Sequence, residues 1–258
     1  MKNTTMTMAV LPARAAPRPR KSARRQALRR RYRLQILAAA AAVLIAALAR
    51  TVPALGIPPE GGRPVEWIAQ NPELPNGCEV TSLAMVLGAA GCPADKLELY
   101  RDYLPKADFS QMDGVRYGPD PEKWYAGDAA DPAGGWYCFE GPILQAANGW
   151  LDHCGSSLRA RDLTGLSRVE LDRYAQAGIP LVVWVTLGYA APQYSGSSWT
   201  LEDGRAYRPY RNLHCVVLAG VADGQYRICD PISGFAQMDK SLFWDSFSAM
   251  GGRAVAIE

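Results

Sequence analysis

The sequence predicts an α+β domain in which helices come first and an antiparallel sheet follows. Helical periodicity is strongest near residue 80, where apolar residues recur at i, i+3, i+4 and i+7. After residue 180 the pattern changes to β-branched apolar runs, which are typical of buried strands. Because helices and strands are segregated along the chain, α+β is favoured over an alternating α/β arrangement.

A basic arm at positions 1–33 differs from the rest of the chain. It holds 11 of the 28 Lys and Arg residues and none of the 25 Asp and Glu residues. The apolar run 34–49 follows at once, which is the order of segments in an export signal. The length of this run falls between that of a cleaved signal peptide and that of a membrane anchor, so both stay open. The basic side should remain in the cytoplasm, which predicts an extracytoplasmic domain, either membrane-anchored or secreted.

The composition and the order of segments exclude several other classes of protein. A content of 48% apolar and 21% charged residues excludes a wholly disordered chain and a polytopic membrane protein. A basic arm can bind nucleic acid, but a charge block joined directly to an apolar run favours export, so we expect no nucleic-acid partner. Residues 50–64 contain four prolines and predict a linker, and residues 65–258 should form the folded domain.

The predicted elements of the domain follow from periodicity and from capping residues. Asn76 is the predicted N-cap of the first helix, with Glu79 three residues later as in a capping box. Ser167 and Glu170 form a second capping box. Helices are predicted at 76–87, 94–104, 142–151, 167–177 and 239–248, a long structured loop at 105–140, and strands at 181–187, 213–221, 226–229 and 254–257.

Three residues form a pattern that points to thiol chemistry. Cys78 lies in the first turn of a predicted helix, where free N–H groups and the helix dipole favour a thiolate. His214 follows far downstream on a predicted strand, and Asp230 ends the next strand. A thiolate nucleophile needs an imidazole partner, and a carboxylate on a neighbouring strand can orient that ring. Each residue alone also suits a structural role, but their chain order favours a catalytic Cys-His-Asp set.

The segments around these residues resemble the bacterial double-glycine-leader, bacteriocin-processing peptidases, cysteine-peptidase family thirty-nine. The resemblance is carried by the block Gly77-Cys78-Glu79-Val80-Thr81-Ser82, by Gly178-Ile179-Pro180, by His214-Cys215-Val216-Val217-Leu218-Ala219-Gly220 and by Asp230-Pro231. It implies a papain-like fold with Cys78 as nucleophile, His214 as general base and acid, and Asp230 as the orienting carboxylate. It also implies an upstream glutamine that stabilises the oxyanion, for which Gln70 is the candidate.

The predicted activity is that of an exported thiol hydrolase, a cysteine peptidase that acts on a peptide or protein and meets the membrane through its N-terminal segment. No P-loop pattern is present, so we expect no fused transporter ATPase. Two alternatives stay open. The same chemistry could serve a cell-wall peptidoglycan amidase or endopeptidase, and the same fold could serve as a catalytically silent peptide-binding module.

Six cysteines and two histidines occur without any C-x-x-C spacing, which predicts neither a metal site nor a cofactor. If His214 and Asp230 are directly opposite in a ladder, Cys215 and Cys229 are opposite too and could form a disulfide. A shifted register would separate those sulfurs, so both outcomes stay open. Cys138 and Cys154, which flank one predicted helix, are a second candidate pair. Cys78 should be free, because a disulfide would consume the nucleophile.

Overall fold

A six-stranded antiparallel sheet organises residues 62–258, the part of the chain that this computed structural model describes. The predicted basic arm 1–33, the predicted signal or anchor 34–49 and most of the predicted linker 50–64 lie outside these residues. Among residues 62–258, no helix combines the length and the apolar character that a bilayer crossing requires. The mixed helix and sheet architecture confirms the predicted α+β class.

The strands of the sheet are β5 (Ala160–Asp162), β6 (Leu181–Thr186), β9 (Leu213–Ala222), β10 (Gln225–Asp230), β11 (Gly234–Met238) and β12 (Ala254–Ile257). Their order in the sheet is β11-β10-β9-β6-β12-β5, and every neighbouring pair is antiparallel. Every residue of β6 is buried, because helices cover both faces of the sheet. Four of the six strands match predicted ones, whereas β5 and β11 are additional.

Five α-helices accompany the sheet in the described residues. They are α1 (Cys78–Ala89), α2 (Lys96–Glu98, continued by a π-helix at Leu99–Tyr103), α3 (Glu140–His153), α4 (Arg168–Gln176) and α5 (Lys240–Ala249). One core contains residues of α1 and α3 with alternate residues of β6, β9 and β12. A second core contains residues of α4 and α5 with the intervening residues of the same strands. Because successive side chains of a strand point to opposite faces of the sheet, each of these strands contributes residues to both apolar cores.

The region predicted as a long loop carries short strands of its own. They are β1 (Lys106–Ala107), β2 (Ser110–Met112), β3 (Val115–Tyr117) and β4 (Tyr125–Ala126). β1 pairs with β4, and β2 and β3 join β7 (Trp199–Thr200) and β8 (Ala206–Tyr207) in a four-stranded sheet. Because each of these strands is so short, no lasting periodicity marks it in the sequence.

The register between β9 and β10 separates two cysteines that the sequence analysis considered as a pair. Asp223 and Gly224 form a two-residue turn, with φ of 51° and 76°, as type I′ hairpins require. A bulge between Arg227 and Ile228 then shifts the ladder, so that Cys229 faces Val217. Of the two outcomes left open, the structure has the one without a Cys215–Cys229 disulfide, and both residues carry free thiols.

The disulfide in the described residues joins Cys92 to Cys154, which connects the segment after α1 to the end of α3. The candidate Cys138–Cys154 pair does not form, and the reason lies in the packing. Cys138 is buried beneath β6, where its carbonyl oxygen accepts a 2.9 Å hydrogen bond from the Trp184 indole. Spacing alone did not reveal that α1 and α3 end side by side. Cys78 carries a free thiol.

Replacing both Cys92 and Cys154 by alanine should lower the free energy of unfolding by about 2–4 kcal/mol, because the crosslink joins positions 62 residues apart in the unfolded chain. Urea unfolding with and without reductant measures this. Reductant should destabilise the wild-type protein to a similar extent and leave the double variant unchanged. A wild-type stability that ignores reductant would contradict the crosslink.

Candidate active site

Cys78 is the first residue of α1, and the chain geometry before it requires a glycine. A Cβ added to Gly77 would lie 2.6 Å from the Leu74 Cβ, so a side chain there does not fit. The predicted cap by Asn76 is wrong, because Gly77 is the N-cap and the Asn76 amide donates to the Asp131 carbonyl at 2.8 Å. The first N–H groups of a helix have no intrahelical partner, so the Cys78 N–H is available to a ligand.

His214 on β9 and Asp230 at the end of β10 form a hydrogen-bonded pair. The His214 Nε2 lies 2.9 Å from the Asp230 Oδ1. Burial opposes ionisation of Asp230, but His214, the Ile232 N–H and the Ser233 hydroxyl together hold its pKa below the ordinary value. An ionised Asp230 fixes the proton on Nε2, which leaves Nδ1 as the ring nitrogen that can take up or give a proton.

Gln70 lies on the segment before α1 with its side chain buried and its backbone tied to the Asp230 turn. Its N–H donates to the Pro231 carbonyl at 2.9 Å. Its Nε2 donates one hydrogen to the Pro75 carbonyl at 2.7 Å, while its Oε1 is buried without a partner in the described residues. The second Nε2 hydrogen remains for a ligand.

A cleft of about 350 Å³ brings three of the four predicted site residues together. Gln70, Cys78 and His214 line it. Asp230, the fourth, contacts the far nitrogen of the His214 ring. The walls are apolar and aromatic, with contributions from residues that the sequence analysis did not select: Trp136, Tyr137, Leu187 and Ile232.

Other aromatic residues and the second histidine lie at different distances from the cleft. Tyr210 lines it, whereas Trp184 is buried in the core with α1 and α3, and Trp199 is buried in a separate cluster with Ala126 and Leu201. His153 is exposed at the end of α3, next to Trp150. Within residues 62–258, no group of three or more His, Cys, Asp or Glu side chains is arranged to hold a metal ion.

Glu79 is a buried acid in contact with Cys78, a position that the sequence analysis missed when it assigned Glu79 to a capping box. Its Oε2 lies 3.3 Å from the Cys78 Sγ, and its Oε1 accepts the Cys138 N–H at 3.2 Å. Burial raises the pKa of Glu79 to about 7. The sequence holds one indication that Glu79 is buried, because α1 lacks a polar face. Its residues from Cys78 to Leu87 are all buried, and an acid at position 79 must be buried with them.

The surroundings of the Cys78 thiol oppose its ionisation. Burial raises its pKa well above the ordinary value, and the Glu79 carboxylate raises it further. Both effects act against the helix N-terminus, on which the expectation of a ready thiolate rested. A protonated Glu79 removes the repulsion and can donate its O–H toward the sulfur. The thiolate is therefore favoured when Glu79 is neutral.

Glu79→Gln should change how stability depends on pH. Glu79 ionises near 4.5 in the unfolded chain and near 7 in the folded one, so the unfolded state loses its proton first. The wild-type protein should therefore lose about 3 kcal/mol relative to Glu79→Gln as the pH rises from 4.5 through 7. Urea unfolding followed by tryptophan fluorescence at stepped pH measures the difference.

Glu170→Gln is the matched control. The capping box with Ser167 lowers the pKa of Glu170, so its contribution to stability is lost as the pH falls below 4.5, which is the opposite sense. A constant difference between wild type and Glu79→Gln across pH 4.5 to 7 would show that Glu79 titrates normally.

Known proteins are similar to this chain in fold and in sequence. A model of the family described as "Peptidase_C39 like family" matches residues 63–255. The uncharacterized protein YvpB of Bacillus subtilis (strain 168) is 30% identical over 202 residues, which cover 76% of each chain. A solved structure described as a C39-like peptidase from Bacillus anthracis is 32% identical with a TM-score of 0.64, over 75% of this chain and 94% of that one.

A second solved structure is more distant. It is described as a double glycine motif protease from an AMS/PCAT transporter in complex with the leader peptide, with 17% identity and a TM-score of 0.44 over 78% of this chain and 95% of that one. The family match extends over nearly all of the described residues. The chain therefore belongs to the Peptidase_C39 like family and has the papain-like α+β fold that the resemblance implied.

Proposed function

We propose that this chain is an extracytoplasmic cysteine peptidase that cleaves a peptide bond through Cys78, His214 and Asp230. The observation that carries the proposal is that a cysteine at a helix N-terminus and a carboxylate-bound histidine line one cleft. Cys78 and His214 lie far apart in the sequence, so chain proximity does not account for their meeting in one cleft.

The proton route follows from the orientation of the histidine. His214 Nδ1 takes the proton of the Cys78 thiol, and the sulfur attacks the carbonyl carbon of the substrate. The C–N bond then breaks, and His214 returns the proton to the leaving amine. Water, deprotonated by the same ring, attacks the thioester and releases the acid product with the free thiol. Asp230 stabilises the imidazolium that exists between the two transfers.

In the resting arrangement the thiol is hydrogen-bonded to Glu79, so it must turn toward His214 when a substrate binds. Catalytic hydrogen bonds that tighten only in the substrate complex are common. The Cys78 N–H and the second Nε2 hydrogen of Gln70 are the two donors for the oxyanion. Such donors act where charge develops in the transition state, and losing one costs about 10²–10³ in kcat.

The walls of the cleft support a peptide with apolar side chains as substrate. Leu187 and Ile232 line the cleft and remain about half exposed, at 46% and 48%. Exposed apolar side chains around a polar centre are typical of a binding groove. Trp136 adds an aromatic surface and Arg211 a positive charge to the same cleft.

Replacing the nucleophile or the base should separate catalysis from folding. Cys78→Ala should abolish hydrolysis of any peptide substrate found. His214→Ala should slow alkylation of Cys78 by iodoacetamide at neutral pH by about 100-fold or more, the lower range of general-base effects. Labelling is specific for Cys78, because it is 8% exposed whereas Cys138, Cys215 and Cys229 are fully buried.

His153→Ala is the control for the histidine variant, because this histidine is exposed outside the cleft and should leave the alkylation rate unchanged. Asp230→Ala should reduce hydrolysis less than His214→Ala does, since water can partly replace an orienting group. Equal alkylation rates in the wild type and His214→Ala would contradict the proposed pair, and a silent binding module would give that result.

Incubation with purified peptidoglycan separates the two hydrolase alternatives. Release of muropeptides or free amines that depends on Cys78 would assign the chain to cell-wall hydrolysis. Cleavage of soluble peptides without such release supports the proposed peptidase.

Export is supported by the order of the basic and apolar segments and by the Cys92–Cys154 disulfide, since disulfides persist in oxidising compartments. Protease added to spheroplasts should digest residues 65–258. A variant that lacks residues 1–49 should stay inside and be protected until lysis. A full-length domain that resists protease in spheroplasts but not in lysates would place the domain in the cytoplasm.

A further inference from the structure

We propose that Lys96 is a positioning residue that holds the segment 69–75 so that the Gln70 amide faces the oxyanion. The inference rests on the proposed function and concerns the same cleft. Lys96 is the first residue of α2, and its side chain is only 10% exposed. It does not line the cleft. Its effect on the reaction would therefore act through Gln70.

All three hydrogens of the Lys96 ammonium group are used on this one segment. The Nζ donates to the Ala69 carbonyl, to the Gln70 carbonyl at 3.0 Å and to the Glu73 Oε2 at 2.8 Å. An ammonium group has three donors and no acceptor, so this lysine is saturated. A buried charge is costly unless it is paired and hydrogen-bonded. Here Glu73 supplies the opposite charge, and Ala69 and Gln70 supply the carbonyl oxygens.

The remaining polar groups of Gln70 depend on the conformation that Lys96 holds. The Gln70 carbonyl also accepts the Leu74 N–H at 2.9 Å, and the Gln70 N–H donates to Pro231. The side-chain Nε2 donates to Pro75, within the same turn. The amide is therefore aimed by a turn whose inner carbonyls point at the ammonium group. Without Lys96, two carbonyls lose a charged donor and the turn is free to rearrange.

Two reactions of Cys78 separate this role from a general loss of structure. Alkylation by iodoacetamide requires the thiolate but no oxyanion donor. A dipeptide aldehyde adds the thiol across its C=O bond, so that a C–S bond forms and the former carbonyl oxygen, which takes up the thiol proton, lies at the oxyanion position. N-acetyl dipeptide aldehydes are screened first, and the tightest binder to the wild-type protein is used.

The Lys96→Met variant should bind the aldehyde about 10- to 100-fold more weakly than the wild-type protein does. This loss should not exceed the loss expected when an oxyanion donor is removed. The variant's rate of alkylation by iodoacetamide should stay within twofold of the wild-type rate. In a Gln70→Ala background, Lys96→Met should cause no further loss of affinity, because both changes remove the same donor. Lys106→Met is the matched control, since the exposed Lys106 donates to two carbonyls, of Tyr100 and Arg101, on a different segment.

Three results would overturn the inference. They are unchanged aldehyde affinity in Lys96→Met, a further tenfold loss on the Gln70→Ala background, and an equal loss in Lys106→Met. If Lys96→Met does not fold, Glu73→Ala takes its place, because Glu73 is half exposed and its loss frees one of the three bonds. It should weaken aldehyde binding with unchanged alkylation, and unchanged binding would overturn the inference. A wild-type protein that binds no aldehyde would refute the proposed function itself.

Discussion

The packing of α1 against β9 and β10 is the contact on which the candidate site depends. The Ser82 hydroxyl donates to the Cys215 carbonyl at 3.3 Å, and the Met85 sulfur lies 3.4 Å from the Cys229 sulfur. These contacts are made by residues one and two turns after Cys78 and by neighbours of His214 and Asp230. Cys78 and His214 are therefore brought to one cleft by the burial of apolar side chains, which does not depend on any chemistry at the site.

Burial also affects the ionisation of the side chains at the candidate site. A thiol inside the domain is protected from solvent but ionises less readily, and the adjacent acid opposes its ionisation when charged. Glu79 is buried by the same helix, which keeps it neutral over much of the pH range and so limits this repulsion. The helix that carries Cys78 thus also carries an acid that affects the ionisation of its thiol. An exposed acid at that position would stay ionised and repel the thiolate.

Local patterns were sufficient to predict much of the fold. The β-branched runs predict β6 and β9, and the Ser167 capping box predicts the start of α4. Each of these signals depends only on residues close together in the sequence, and each predicted element is present in the structure. β5 and β11 were missed because neither shows a buried run: one of the three residues of β5 is buried, and none of the five residues of β11 is. The Asn76 cap failed because a long-range bond to the Asp131 carbonyl competes with the local one.

Part of the candidate site could also be predicted from the sequence, and part could not. The order of Cys78, His214 and Asp230 along predicted elements anticipates that they meet, since adjacent strands align their ends. The contacts of Glu79 and of Lys96 could not be predicted, because each depends on which distant carbonyl or amide packs against it. The same holds for the cysteines, whose pairing requires the relative placement of α1 and α3.

The Cys92–Cys154 bridge lies at the end of α1 opposite to Cys78, about 18 Å away for a helix of this length. It closes residues 92–154 into a ring that includes the short strands β1 to β4, of which β2 is fully exposed. A proteolytic nick in that region would leave both fragments covalently joined, with Cys78 on one fragment and His214 on the other. A single cut there would therefore not dissociate the two fragments, and Cys78 and His214 would stay within one covalent molecule.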